Sequence, residues 1–293
     1  MNRKGVALIF GLLVVMVLSI LASSFYFKSI NADKLTRRYV ESSRAFWLAE
    51  AGIAEALSNL PSTSASGEIG NPSYTYEAQV TQVAGTTNYY TITSVGSVAL
   101  QENQSIDRTL SVIIRTGVVD PAKFESAIET TTDLVVKGSV EINPADSFKE
   151  NSILDFADLF GVSKAEMKLA ATNVYTAENF GPPVSGITWV DVPTGETLTI
   201  AGELIGSGVL IINGDAHFSG TVEFSGIIYV IGKLTMSGNV TISGSVLAES
   251  SATVDTVLTG NVTLNYDTEE IAGALIPVQF LNKNIVCWQE VIS

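Results

Sequence analysis

Cysteine and histidine each occur once in the 293 residues, as Cys287 and His217. A single cysteine excludes a disulfide within the chain, and a histidine with no second histidine or cysteine nearby supplies no zinc ligand set. Basic residues are also scarce, 16 Lys and Arg against 30 Asp and Glu, for a net charge of −14. An acidic excess of that size repels nucleic acid and anionic membrane surfaces. No proline precedes Pro61 and no charge lies between Val6 and Phe27. Nothing in the first sixty residues therefore forces a helix to stop.

What is present begins with a short basic stub, Asn2-Arg3-Lys4, followed by Gly5 and twenty-two uncharged residues from Val6 to Phe27, interrupted only by Ser19, Ser23 and Ser24. About 20 apolar residues at about 1.5 Å each span a bilayer. The run exceeds the roughly 7–15-residue core of a secretory signal, and Phe25-Tyr26-Phe27 follows the only small-residue stretch that such a signal would need. Beyond Lys28 the larger side chains Leu35, Tyr39, Phe46, Ile53, Leu57 and Leu60 recur in steps of three, four or seven, which predicts a helix continuing to Leu60 with one apolar face. A signal peptide or a plain single-pass anchor accounts for the apolar run but not for this continuation.

Arg3-Lys4-Gly5 before an apolar helix resembles a prepilin-type leader, cut just after the glycine. The run Ser43-Arg44-Ala45-Phe46-Trp47-Leu48-Ala49-Glu50-Ala51-Gly52-Ile53 resembles the AxxxAEAG stretch of PilX-like minor pilins of type IV pili, and it is similar to the large minor pseudopilin of type II secretion. The likeness covers residues 1–60 and extends loosely to Arg115, including a turn expected at Ser94-Val95-Gly96. It implies Gly5 and Val6 as the processing site, Phe10, Leu13 and Met16 as filament-core packing residues, and Ala49, Glu50, Ala51 and Gly52 as the stalk motif. Major pilins carry a glutamate as the fifth mature residue. Here that place is Phe10, so the chain lacks the carboxylate that would neutralise a neighbour's terminal amine, a departure shared by the large minor pseudopilin and pointing to a filament tip. The implied partners are a prepilin peptidase, major and other minor pilins, the inner-membrane assembly platform and membrane lipid before assembly.

Charge is unevenly placed. Residues 1–48 hold seven Lys or Arg against Asp33 and Glu41, so the acidic excess lies wholly beyond them. Five of those cations follow the span, and a positive-inside count taken alone would leave the head in the cytoplasm. The leader resemblance implies the reverse, a single pass through the inner (cytoplasmic) membrane with the C-terminal head outside.

The rest divides by composition after residues 1–5 (leader) and 6–60 (span and stalk). Residues 61–117 open with a turn-rich link at 61–73 and read as a small pilin-like sheet of three strands. Residues 118–186 are a mixed connecting region, with two short helices over 154–171 broken at Gly161, the second capped by Ser163 and Glu166. In 187–270 glycines stand at 202, 208, 214, 220, 226, 232, 238 and 244. Between them the second and fourth places of each hexad are apolar, as in Val222/Phe224 and Val240/Ile242. Such a period predicts a β-solenoid, eighteen residues to a coil if three hexads close it, similar to bactofilin-like and other β-helix modules but without fixing its handedness. Residues 271–293 are expected to cap its open end, with Cys287 buried as a small hydrophobe. The fold class is thus α+β: a long transmembrane and stalk helix, a small antiparallel sheet, and a β-solenoid head.

β-Helices also serve polysaccharide-active enzymes, and Asp215 with Glu223 is the one candidate carboxylate pair. Both fall at outward places where solvated charges belong, as does His217, so no catalysis and no cofactor is expected. The expectation is a minor pilin or pseudopilin that assembles into or primes a pilus-like filament at its tip. A membrane-anchored adhesin or glycan-binding surface protein is the alternative.

Overall fold

The computed structural model describes residues 3–100, 104–250 and 256–291, with side chains from residue 11 onward. The chain forms two compact units, one of Met1–Val83, Thr91–Ile113 and Val286–Ser293, the other of Ala84–Tyr90 and Ile114–Ile285.

The first unit is built on one helix, α1 (Arg3–Ser58), 56 residues without a break and so about 84 Å long at about 1.5 Å per residue. Four strands follow: β1 (Ser64–Glu68), β2 (Tyr74–Gln82), β3 (Tyr89–Ala99) and β4 (Ser105–Arg115). They are neighbours in chain order, and the C-terminal strand Asn284–Val291 adds a fifth beside β4. The short links between consecutive strands require antiparallel pairing, seen in the register of Ser64 on Gln79 and Glu68 on Thr75. Two expectations are corrected here. The link at 61–73 contains β1, because Ser64 to Glu68 find hydrogen-bonding partners on β2. Ser94-Val95-Gly96 is no turn but the middle of β3, where alternate residues Ile92, Ser94, Gly96 and Val98 are buried.

The second unit is a three-sided solenoid. Its strands are β5 (Ile128–Thr130), β6 (Leu134–Val136), β7 (Ser139–Asn143), β8 (Phe148–Lys149), β9 (Asn173–Thr176), β10 (Ile187–Asp191), β11 (Thr197–Ile200), β12 (Glu203–Asn213), β13 (Asp215–Phe218), β14 (Thr221–Val230), β15 (Leu234–Met236), β16 (Asn239–Ala248), β17 (Thr256–Leu258) and β18 (Asn261–Asn265). Every pairing among them given by its register is parallel. Glu203 lies on Thr221 and Thr221 on Asn239, an offset of one eighteen-residue coil. The long strands β12, β14 and β16 cover two sides each and bend at Gly208, Gly226 and Gly244, all at positive φ. These corners admit no side chain: a Cβ on Gly244 would sit 1.9 Å from the Gly226 carbonyl oxygen. Two coils are four residues longer, where Ile187 faces Val209 and Asn239 faces Asn261. In the first of these the extra residues fall at the corner between Asp191 and Thr197 and leave the ladder in register.

Alternate side chains fill the interior in columns, such as Leu204, Val222, Val240 and Val262 on one side and Leu210, Ile228 and Val246 on the next. With seven strands in the longest stack, the coils rise about 30 Å at about 4.8 Å per strand.

The order of the stack departs from the order of the chain. β7 lies on β18, β6 on β17 and β5 on β16, so residues 128–149 form the last coil although they hold the first solenoid strands in the sequence. The chain then crosses through α2 (Phe156–Phe160) and α3 (Lys164–Leu169) to begin the stack at β9. Gly161 ends α2 in the left-handed region, and Ser163 with Glu166 forms the expected capping box on α3. The region 118–186 therefore belongs largely to the solenoid. The expected cap at 271–293 is also corrected. Its helix α4 (Thr268–Gln279) lies along the flank of β12, β14 and β16. The strand after it, now β19 (Asn284–Val291), joins the sheet of the first unit.

α4 lies there because one side of the prism is apolar on both surfaces. Val209 and Ile211, Ile227 and Tyr229, and Leu247 hold outward places yet are fully buried, with α2, α3 and α4 packing over them through Phe156, Phe160, Met167, Ile271 and Leu275. Asp267 caps α4, accepting from the backbone N–H of Glu269 at 2.9 Å.

Candidate functional site

α1 carries two surfaces of opposite character. From Leu12 to Phe27 its large apolar side chains are exposed, Leu13 at 53% and Met16 at 62%. Exposure of this kind over several turns is stable only against lipid or other apolar helices. By length and composition α1 is long and apolar enough to cross a membrane. Gly5, Val6 and Phe10 fall within its backbone span, but their side chains lie outside the described residues.

The distal third is the packing surface. Ala45, Leu48, Ala49, Gly52, Ile53 and Ala56 are its buried residues, a stripe of mostly small side chains at helical spacing. The expected stripe of large residues is corrected in part: Ile53 is buried, Phe46, Leu57 and Leu60 are half-buried, and Leu35 and Tyr39 are exposed. Small residues win because the helix lies almost on the backbone of β3. A Cβ on Gly96 would be 2.1 Å from the Ala45 carbonyl oxygen and 2.4 Å from the Ala49 nitrogen, and one on Gly52 would be 2.3 Å from Ser94 Oγ. The AEAG segment thus divides into roles: Ala49 and Gly52 permit the approach, while Glu50 and Ala51 are half-buried beside it.

One oxygen of Glu50 is buried and without a hydrogen-bond partner, as is one of Glu41. Around the stripe, Arg44 donates to Glu41 at 2.8 Å and to the Tyr74 hydroxyl at 2.9 Å. The Tyr76 hydroxyl donates to Glu55, and that bond, with burial and the negative charge adding to it, raises the phenol above its ordinary pKa.

Cys287 is exposed, which corrects the expectation of a buried thiol. It lies on β19, a strand at the edge of its sheet with Val286, Trp288 and Val291 also exposed. An edge strand packs on few neighbours, so apolar sequence alone did not bury it. The Trp288 ring meets Phe46 edge-on at 5.8 Å.

In the solenoid the carboxylates of the hydrolase alternative do not converge. Asp215 is on β13 and Glu223 on β14, on different sides of the prism and in different sheets. The Asp215 carboxylate accepts from the Lys233 backbone N–H at 2.8 Å, bracing the next coil. His217 pairs with Ser237 Oγ at 2.7 Å. Among the described residues no three His, Cys, Asp or Glu side chains stand together as a metal set.

The polar groups with the strongest environment are structural. Asp191 accepts from Lys168 Nζ at 2.7 Å, Trp189 Nε1 at 2.9 Å and Asn213 Nδ2 at 3.3 Å. Burial alone would raise its pKa, but those donors outweigh it and hold the carboxyl below the usual range. Glu249 receives the Tyr229 hydroxyl at 2.8 Å and Lys164 at 2.7 Å. Burial first, then the neighbouring carboxylate, pushes the Tyr229 phenol upward.

No family model matches the chain, and no curated protein matches it. Among solved structures it is similar to the competence-associated pilin ComZ from Thermus thermophilus, at 11% identity and a TM-score of 0.28, with 86% of this chain and 97% of that chain covered. At that TM-score the likeness carries no argument of its own, and a functional reading rests on the residues and elements described above.

Proposed function

We propose that this chain is a minor pilin or pseudopilin that assembles into, or primes, a type IV pilus-like filament, and that it stands at the filament tip. One observation carries the reading. A single unbroken helix presents sixteen residues of uncovered apolar surface, Leu12 to Phe27, and then docks a small sheet through a stripe of small residues. That division serves a subunit whose helix passes from lipid into a bundle of like helices while its head stays in water. The leader-like Arg3-Lys4-Gly5 and the absence of a carboxylate at Phe10 support the processing site at Gly5–Val6 and the tip position respectively.

In this reading a prepilin peptidase removes residues 1–5. Phe10, Leu13 and Met16 pack among the helices of major and other minor pilins. The assembly platform extracts the subunit from the inner membrane, where it first sits as a single-pass protein with its head outside the cytoplasm. The head is displayed and performs no chemistry.

The test is the mature N-terminus, read by intact mass after expression with and without a prepilin peptidase and with Gly5→Ala. Loss of residues 1–5 that needs both the peptidase and Gly5 supports the proposal. A chain that keeps Met1 in every sample refutes it and leaves an anchored surface protein. Cleavage after Phe27 refutes it in favour of a secreted solenoid.

A further inference from the structure

The final coil of the solenoid is paired on its upper surface and open on its lower one, except that Glu150 Oε1 accepts from the Leu134 N–H of β6 at 3.1 Å. No strand lies beyond β6, β7 or β8 among the described residues. The interior columns end there in Leu134, Val136, Val140, Ile142 and Phe148, with Val136 50% and Phe148 43% exposed although both hold inward places. Repeat proteins ordinarily close such an end with a polar capping element, because unpaired strand edges over an open core recruit further strands. The opposite end is better closed: Tyr175 and Phe180 stack edge-on at 5.7 Å and pack against the core.

The bare coil places one residue at the centre of each outer side. Val135 continues the column Thr199, His217, Thr235, Val257. Glu141 continues that of Glu223, Thr241 and Thr263. Lys149 lies beneath Glu129 and Leu247. Three two-fold axes can lay one three-sided end on its copy. An axis through the Glu141 side opposes Glu141 to itself, and one through the Lys149 side opposes two lysines. The axis through the Val135 side exchanges the other two, so that Glu141 of each copy meets Lys149 of the other, twice. It also sets β6 antiparallel to its own copy, and each β7 against a β8.

We propose that two copies of this chain associate end to end through this coil, on the two-fold axis that passes through the Val135 side. The five core residues of this end, two exposed and three half-buried, are thereby covered and the edges of β6, β7 and β8 paired, with the copy taking the place of Glu150 on the Leu134 N–H. Closure by a two-fold, with the far ends plugged, makes the product a dimer and not a fibre. Lys149 already pairs with Glu125, and its ammonium has donors for a second carboxylate. Glu141 accepts from the neighbouring Asn143 amide at 3.1 Å. The end is small, with sides of about 17 Å for the five residues of β7 at about 3.3 Å each. Its area is well below the roughly 1,000 Å² of a self-sufficient interface, so the pairing depends on copies being held close together. The proposal stands whether or not the chain is a filament subunit.

The experiment is oxidative cross-linking of the full chain in detergent, in a Cys287→Ser background. Val135→Cys, which lies on the axis, should form a disulfide-linked dimer. Thr199→Cys, at the far end of the same column, should remain monomeric. Adding Glu141→Lys to Val135→Cys should lower the dimer yield about tenfold, since like charges then face each other twice, and Lys149→Glu on top should restore it. Both charged residues are on the surface, and circular dichroism confirms the fold of each variant. Equal cross-linking at positions 135 and 199 would assign the association to the helix or to the micelle and overturn the proposal. Absence of a Val135→Cys dimer, or failure of the double reversal to recover it, would overturn it as well.

Discussion

At the scale of single residues, glycines divide by what their missing side chain would strike. Gly96 faces the backbone of α1 at distances no Cβ tolerates, whereas Gly273, in the middle of α4, has nothing within 4 Å. Gly96→Ala should therefore destabilise the first unit by about 1–3 kcal/mol or more through overpacking. Gly273→Ala should stabilise the second by about 0.5–1 kcal/mol, because alanine orders into a helix more readily. Urea denaturation of the two variants reads both signs. Asp191 adds a pH dependence. Its folded pKa is depressed, so its contribution is complete above the ordinary aspartate value of about 4 and is lost as pH falls through the depressed one. Asp191→Asn should be less stable than the parent at neutral pH. The gap in melting temperature should close on acidification below about pH 4.

At the scale of elements, the flank helix is the strongest test. Leu275 is fully buried between α4 and the outer surface of the prism. Leu275→Ala should cost about 2–5 kcal/mol, and thermal unfolding would show it, while an exposed neighbour such as Ile276→Ala should cost far less. The solenoid itself was legible because six-residue glycine spacing has no other physical reading. So were α2 and α3, whose break at Gly161 and capping box stand in the sequence.

The covered flank also has a signal in the sequence. Outward places turn apolar in every third hexad, at Val209/Ile211 and again at Ile227/Tyr229, and that eighteen-residue alternation marks a buried side. The final coil had a signal too. Gly138-Ser-Val-Glu-Ile repeats the pattern of Gly238-Asn-Val-Thr-Ile, but in isolation and a hundred residues upstream it reads as an ordinary strand. The stripe on α1 was hidden for a different reason. Alanine and glycine carry little hydrophobic signal, and their value lies in a closeness that only the partner's backbone reveals. For β19, apolar sequence suggested burial where the sheet offered only an edge.

At the scale of the whole molecule, the out-of-order coil governs how the second unit can be cut. Deleting residues 124–150 removes the floor beneath β16, β17 and β18 and uncovers Val246, Leu258, Val262 and Leu264, all fully buried in the intact chain. That deletion should give insoluble protein. Removal of 284–291, which pairs with β4 in the other unit, should leave the solenoid soluble, as sedimentation of the two products would show.

The same coil sets a timetable. A stack whose coils follow one another in sequence can close progressively as the chain emerges from its point of synthesis or export. Here the segment 128–149 must stay unpaired until residues 239–265 arrive, on the order of ten seconds at about 5–20 residues per second. Its exposed strands are during that time the most vulnerable part of the chain. A nascent head of this kind therefore depends on its last third for a safe passage, and a chaperone that holds it open has its clearest task before that third appears.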